Sequence, residues 1–193
     1  KEDITERKRA EEALKNSEQR LSQIINFLPD PTFVIDNEGA VVTWNQAMEE
    51  LTGVTAAEML GKGNFEYALP FYGERRPILI DLVKNWDAKY EKKYLSVKRE
   101  GKNLVSESYH PDLGTKEVYL HGTAGLIYDA AGAVAGAIES LRDVTEKKKA
   151  DDIIRESEER LSNILKTTSE GFWLLDTDDS TLDVNEAMCE ILQ

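Results

Sequence analysis

The chain carries one cysteine, Cys189, in 193 residues. No intrachain disulfide can form, which fits a reducing compartment. It has two histidines, His110 and His121. Neither is followed by Glu, so the pattern of a phosphoaccepting histidine is missing, and no Cys-x-x-Cys-His run exists to attach a c-type haem. No apolar run approaches the roughly 18 residues of a membrane span, and the charged first residues do not form a signal-peptide pattern. These residues are therefore expected to make no membrane contact and to lie in the cytoplasm, while an anchor elsewhere in a longer parent stays compatible. Basic charge is also short: the net charge is −13. Nucleic-acid phosphates would repel such a chain, so nucleic acid is not expected as a partner. Gly61-Lys62-Gly63 lacks the spacing and the trailing Lys-Ser/Thr of a phosphate loop, and no Gly-x-Ser-x-Gly elbow occurs. Acidic residues are many but spread over helix faces and turns, so no carboxylate pair stands out. The reading is a chain without a catalytic site.

What is present is a repeat. Asp3-Ile4-Thr5-Glu6 returns as Asp143-Val144-Thr145-Glu146, Ser17-Glu18-Gln19-Arg20-Leu21-Ser22 as Ser157-Glu158-Glu159-Arg160-Leu161-Ser162, and Asn45-Gln46-Ala47-Met48 as Asn185-Glu186-Ala187-Met188. All three pairs stand 140 residues apart. That period is too long for a solenoid and suits a whole domain. The expected organisation is an N-terminal linker helix over residues 1–20, a domain over 21–142, a linker helix over 143–160, and the start of a second, truncated domain over 161–193.

The repeated charged segments read as helices. Ala10, Leu14, Ser17, Leu21, Ile24 and Leu28 follow alternating steps of four and three, the seam of a coiled coil. Ala150, Ile154, Ser157, Leu161 and Ile164 repeat the phase. Asp143 is placed to cap the second helix, with Glu146 three residues on. A helix that packs only on its own domain is the plainer reading. Pairing with a second copy through Leu14, Leu21, Ile24, Ile154 and Leu161 is the sharper one, and it makes a homodimer the expected state.

Between the helices the pattern changes to strands. Residues 32–36 and 40–44 flank the turn Asn37-Glu38-Gly39, a hairpin signal. Asn45 and Thr55 each open a short helix, and Gly53 and Gly61 end them. Residues 94–98, 104–109, 118–128 and 133–141 read as further strands, with Asp129-Ala130-Ala131-Gly132 as a turn. This is an α+β layout with one sheet and helices to one side.

Val34-Ile35-Asp36-Asn37-Glu38-Gly39, Trp44-Asn45-Gln46-Ala47 and Glu50-Leu51-Thr52-Gly53 resemble the start of a PAS domain. Tyr128-Asp129 and Gly132, before Val134-Ala135-Gly136-Ala137-Ile138-Glu139, resemble its last hairpin. Arg142-Asp143-Val144-Thr145-Glu146 resembles the Asp-x-Thr motif that closes it. The resemblance covers residues 20–145 and implies an antiparallel five-stranded sheet with short helices on one side, flanked by coiled-coil-like helices. It implies a sensory module of a multi-domain bacterial or archaeal protein. The output domain would be a histidine kinase of a two-component phosphorelay; a diguanylate cyclase, or a ligand-free dimerisation spacer, is the alternative. Neighbouring PAS and output domains would be its partners in the same protein.

The resemblance also bears on cofactors. A photoactive flavin needs a cysteine on a mid-domain helix, and the first domain has none. A haem usually draws its axial histidine from the helix before the third strand, and residues 75–86 contain none. Neither haem nor flavin is expected there, and no metal site is read. His110 is expected to be a solvated loop residue and His121 to be hydrogen-bonded on the sheet. For a small organic ligand, Tyr67, Phe71, Tyr72, Arg75 and Arg76 form an aromatic and basic cluster, with Trp44 and His121 as further candidates. The plainer reading makes those aromatics core and those arginines surface pairs. Asp143, Thr145 and Glu146 are the expected relay.

Overall fold

The computed structural model describes residues 2–114, 116–168 and 170–192, the side chains of residues 2–6, 10, 14 and 18 excepted. The chain divides into two compact units, Lys1–Thr145 and Glu146–Gln193. The first contains, in order, α1 (Glu2–Phe27), β1 (Thr32–Asp36), β2 (Val41–Trp44), α2 (Gln46–Thr52), α3 (Ala56–Met59), a 3-10 turn (Glu66–Ala68), α4 (Leu69–Tyr72), α5 (Leu79–Leu82), α6 (Ala88–Glu91), β3 (Ser96–Glu100), β4 (Asn103–Leu113), β5 (Lys116–Tyr128) and β6 (Val134–Asp143). From Thr145 the chain continues as α7 (Thr145–Thr167), followed by β7 (Trp173–Leu175), β8 (Thr181–Val184) and α8 (Glu186–Ile191). Among the described residues no helix is long and apolar enough to cross a membrane.

The sheet of the first unit has six strands, ordered β2-β1-β6-β5-β4-β3, all neighbours antiparallel. This corrects the expected five. The stretch near residue 96 forms its own edge strand, which pairs with β4 from Ser96 opposite Glu107 to Glu100 opposite Asn103. Side chains alternate faces along each strand. In β4 the alternation buries Leu104, Ser106, Ser108 and His110, and β5 and β6 bury Leu120, Ala124, Ala137, Glu139 and Leu141 in the same way. β4 continues through Pro111, with a register shift between His110 and Leu113. A strand tolerates proline where the ladder is interrupted.

The short helices deliver the other half of the core. Leu79, Ile80 and Leu82 of α5 are fully buried, each such burial stabilising by roughly 1.5–3 kcal/mol. Gly122 makes room for this helix: a Cβ there would lie 3.2 Å from Leu79 Cδ2 and 3.0 Å from Ser106 Oγ. Phe33, Trp44 and Tyr67 continue the core, the Phe33 ring 5.6 Å from Trp44 and 5.5 Å from Tyr67.

Asn45 ties three segments together. Its Oδ1 accepts from Thr32 N at 2.9 Å and from Met48 N at 3.0 Å, starting β1 and capping α2. Its Nδ2 donates to the carbonyls of Ile25, Leu28 and Asp30, at 3.3, 3.4 and 3.1 Å, holding the end of α1. The second unit repeats the arrangement. Asn185 Oδ1 accepts from Phe172 N at 2.7 Å and Met188 N at 3.0 Å, while Nδ2 donates to Leu165 O and Glu170 O. The β1–β2 turn, with Gly39 at φ 85°, recurs between β7 and β8 with Asp179 at φ 63°.

Candidate functional site

Beneath the sheet of the first unit lies a polar cluster inside an otherwise apolar core. Phe33, Phe71, Tyr72, Ile78, Tyr94, Ser106, Ser108, His110, Leu120, Glu139 and Leu141 enclose a cavity of about 10 Å³, space for one water at most. β4 supplies the serines and His110, β6 supplies Glu139 and Leu141, and α4 supplies Phe71 and Tyr72.

Each polar group has a defined state. Phe71 O lies 3.2 Å from His110 Nδ1 and can only accept, so the proton sits on Nδ1. His110 Nε2 then accepts from the Ser108 hydroxyl at 2.9 Å. Burial holds the imidazole below its ordinary range and keeps it neutral. Glu139 Oε2 accepts from Ile80 N at 2.9 Å. Burial pushes its carboxyl from 4.5 up to about 8; the Ile80 amide opposes that shift and the nearby Asp81 adds to it. Asp81 is itself raised by burial, and it accepts from the Tyr67 hydroxyl at 2.7 Å and from Ile78 N at 3.0 Å. Tyr72 and Tyr94 are raised above 10 by burial, so both hydroxyls stay protonated.

Among the described residues Arg76 is the only buried arginine, and it is 4% exposed. Its guanidinium carbon lies 3.6 Å from the Tyr72 ring centroid, a cation–π geometry. Nη1 donates to Pro77 O at 3.2 Å, and Nε lies 3.9 Å from Glu74 Oε1, whose side chain faces solvent. Outside the cavity a groove of about 550 Å³ runs past Arg76, Lys93 and Asp112. Phe71, Tyr72 and His110 line both spaces. They form the wall between groove and cavity.

Of the residues read from sequence as ligand candidates, Phe71, Tyr72 and Arg76 meet here. Tyr67 is buried next to Phe33 and borders a different groove, with Trp86 and Asn85. Trp44 donates from Nε1 to Val54 O at 3.0 Å and lines a groove beside α1. Arg75 is half exposed and pairs with Glu66 at 2.8 Å. His121 lies in β5 opposite Glu107 and Arg142, on the sheet face turned away from the cavity. His110 corrects the sequence reading: it is a buried strand residue, because β4 runs on through Pro111. Tyr94, Ser106, Ser108 and Glu139 join the site from segments that do not cluster in the sequence. The signal available was Glu139, a charged residue in phase with Ala137 and Leu141.

Asp143 and Thr145, read from the sequence as relay candidates, close a corner at the end of β6. Asp143 Oδ1 accepts from Thr145 N at 2.8 Å, satisfying one of the amides a helix start leaves open. Thr145 is buried, and its Oγ1 accepts from Tyr119 N at 2.9 Å. Glu146 follows in the first turn of α7. On the helices, Leu21 and Ile24 are 57% and 54% exposed, and Ile154 and Leu161 are 57% and 59% exposed. Leu14 lies outside the described side chains.

The chain belongs to the PAS fold family: the family profile described as PAS fold matches residues 25–149, and one described as PAS domain matches residues 159–193. Among curated proteins it is similar to the virulence sensor protein BvgS of Bordetella pertussis, 29% identical over 151 residues, which cover 75% of this chain and 11% of that protein. The BvgS of Bordetella parapertussis is 41% identical over 59 residues, 31% of this chain and 5% of that protein. The chain thus spans about a tenth of the length of these relatives. Among solved structures, an RNA-binding light-oxygen-voltage receptor has a TM-score of 0.51 at 17% identity, covering 76% of this chain and 38% of that one, and it shares the fold. The PAS domain of Bordetella pertussis BvgS has a TM-score of 0.48 at 22% identity, covering 76% and 98%.

Proposed function

We propose that this chain is the sensing and relay segment of a larger signalling protein, in which occupancy of the cavity beneath the sheet changes the corner at Asp143 and Thr145, and α7 carries that change to a histidine kinase output. The observation that carries this reading is the position of the cavity wall on the strands that make the corner. Leu141 lines the cavity and stands two residues before Asp143 on β6. Leu120 lines it too, next to Tyr119, whose amide Thr145 holds. A displacement of either strand reaches the corner with no intervening loop to absorb it. The kinase output rests on the family resemblance; a diguanylate cyclase is the alternative.

A homodimer is part of the same reading. The apolar seam recurs in one phase on α1 and α7, with Leu21, Ile24, Ile154 and Leu161 exposed, and a second copy of such a seam is its natural partner. The domain then acts as relay even without a ligand.

The test is the output activity of the parent, with and without its stimulus, for Asp143→Ala and Thr145→Ala, beside melting curves of the chain. Locked or uncoupled output in a folded variant supports the relay. Normal switching in the folded double variant rejects it.

A further inference from the structure

Two buried side-chain polar atoms among the described residues have no hydrogen-bond partner, Arg76 Nη2 and Tyr94 Oη. They belong to neighbouring groups: the Arg76 guanidinium carbon lies 5.9 Å from the Tyr94 ring centroid. A buried polar group without a partner is costly, so such atoms in a native fold call for an explanation. Here both point to one kind of guest. A guanidinium is a fixed cation whose planar donors match a carboxylate, and Nη2 is the nitrogen that Pro77 and Glu74 leave open. The Tyr94 hydroxyl stays protonated; the Tyr72 hydroxyl stands near it but outside hydrogen-bond geometry, so Tyr94 keeps a second donor to offer. One guanidinium nitrogen and one hydroxyl suit the two oxygens of a single carboxylate. A phosphate brings more oxygens and more charge than these donors meet, and Glu74 and Asp112 in the same groove, which face either anion, oppose a doubly charged one more than a single carboxylate.

The surroundings set the rest of the molecule. Phe33, Ile78, Leu120 and Leu141 give the cavity apolar walls, which suit a short hydrocarbon or aromatic body. At about 10 Å³ the cavity admits such a body only when the wall of Phe71, Tyr72 and His110 moves.

We propose that Arg76 and Tyr94 anchor the carboxylate of a small organic acid, whose apolar body enters from the groove beside α4 and lodges beneath the sheet. This rests on the sensor reading above and names its ligand class. A single water bridging the two donors is the competing occupant.

The 193-residue chain is titrated with acetate, butyrate and benzoate, each beside its primary amide, at roughly 1–10 mM, the range in which ligands of few atoms bind. Backbone amide NMR shifts are followed. The expected result is a shift of residues 71–76 and 139–141 by at least one acid, with its amide about tenfold weaker or worse, because the amide leaves a cationic donor unmatched. Arg76→Gln abolishes the response. Tyr94→Phe, which keeps the ring and the packing, weakens it severalfold while the rest of the spectrum is unchanged. Equal binding of acid and amide overturns the carboxylate class and leaves a sensor of neutral ligands standing. Absence of any acid-induced shift also overturns it, and leaves the bridging water. The sensor reading itself fails only on the corner variants of the parent, so the two failures are distinct.

Discussion

Thr145 Oγ1 accepts the Tyr119 amide at 2.9 Å, and Val144 N donates to the Tyr119 carbonyl, also at 2.9 Å. The two bonds hook the residues after β6 onto the neighbouring strand, one position from the cavity wall at Leu120. Thr145→Val keeps the shape and removes the acceptor, leaving a part-buried amide unpaired. The expected cost is about 1–3 kcal/mol, measured by urea unfolding, with Thr145→Ser close to the parent value. A Val variant as stable as the parent would show that the hook contributes nothing.

Asn45→Ala is expected to cost more, about 2–4 kcal/mol, since the side chain caps α2, starts β1 and holds the end of α1. Asn45→Asp keeps the two accepted bonds but turns an oxygen toward the carbonyls of Ile25, Leu28 and Asp30, so it recovers only part. Denaturation midpoints of the two variants check the order.

The contribution of Glu139 to stability should fall as pH rises from about 4.5 to about 8 and level off above that. Folded Glu139 keeps its proton up to about 8, whereas the unfolded chain releases it near 4.5. The folded state therefore binds more protons in this window, and its advantage is lost on the way up. Asp81, raised by burial, acts in the same direction. His110, lowered by burial, costs stability only below about its ordinary 6.5, and Tyr72 and Tyr94 stay neutral throughout. Between pH 6.5 and 8 the loss is about 1–2 kcal/mol, read from melting curves, and Glu139→Gln removes most of it. A flat profile in the parent would mean that Glu139 is already ionised in the fold.

The proposed association would rest on the exposed seam. Sedimentation at tens of micromolar is expected to show a dimer, and Leu21→Asp to shift it to monomer, since burial of one Leu contributes roughly 1.5–3 kcal/mol. A monomeric parent chain at that concentration removes the seam as an interface.

The hairpin at Asn37-Glu38-Gly39, the caps at Asn45 and Thr55 and the strand alternation were legible because each is a local signal, carried by a few adjacent residues. The sixth strand was legible as a segment, but its place at the sheet edge was not, since pairing is decided by distant residues. The site was legible by halves. Phe71, Tyr72 and Arg76 stand together in the chain and drew notice. Tyr94, Ser108, His110 and Glu139 come from separate segments that only the sheet order assembles. His110 was further masked by Pro111, which reads as a loop until the register shift beside it is known. Arg75 and Arg76 are adjacent and identical in type, and nothing local says which one turns inward.

The grip of Asn45 on the last turn of α1 and the residues that follow it consists entirely of main-chain oxygens, as does that of Asn185 on Leu165 and Glu170. Every peptide carries such an oxygen, so the clasp is indifferent to which side chains the helix bears. The sequence of an incoming helix is thereby free to drift, to change its partner or to be exchanged for that of another module, while its attachment to the domain stays the same. Interchangeability of this kind is what a fold strung in series along one chain requires.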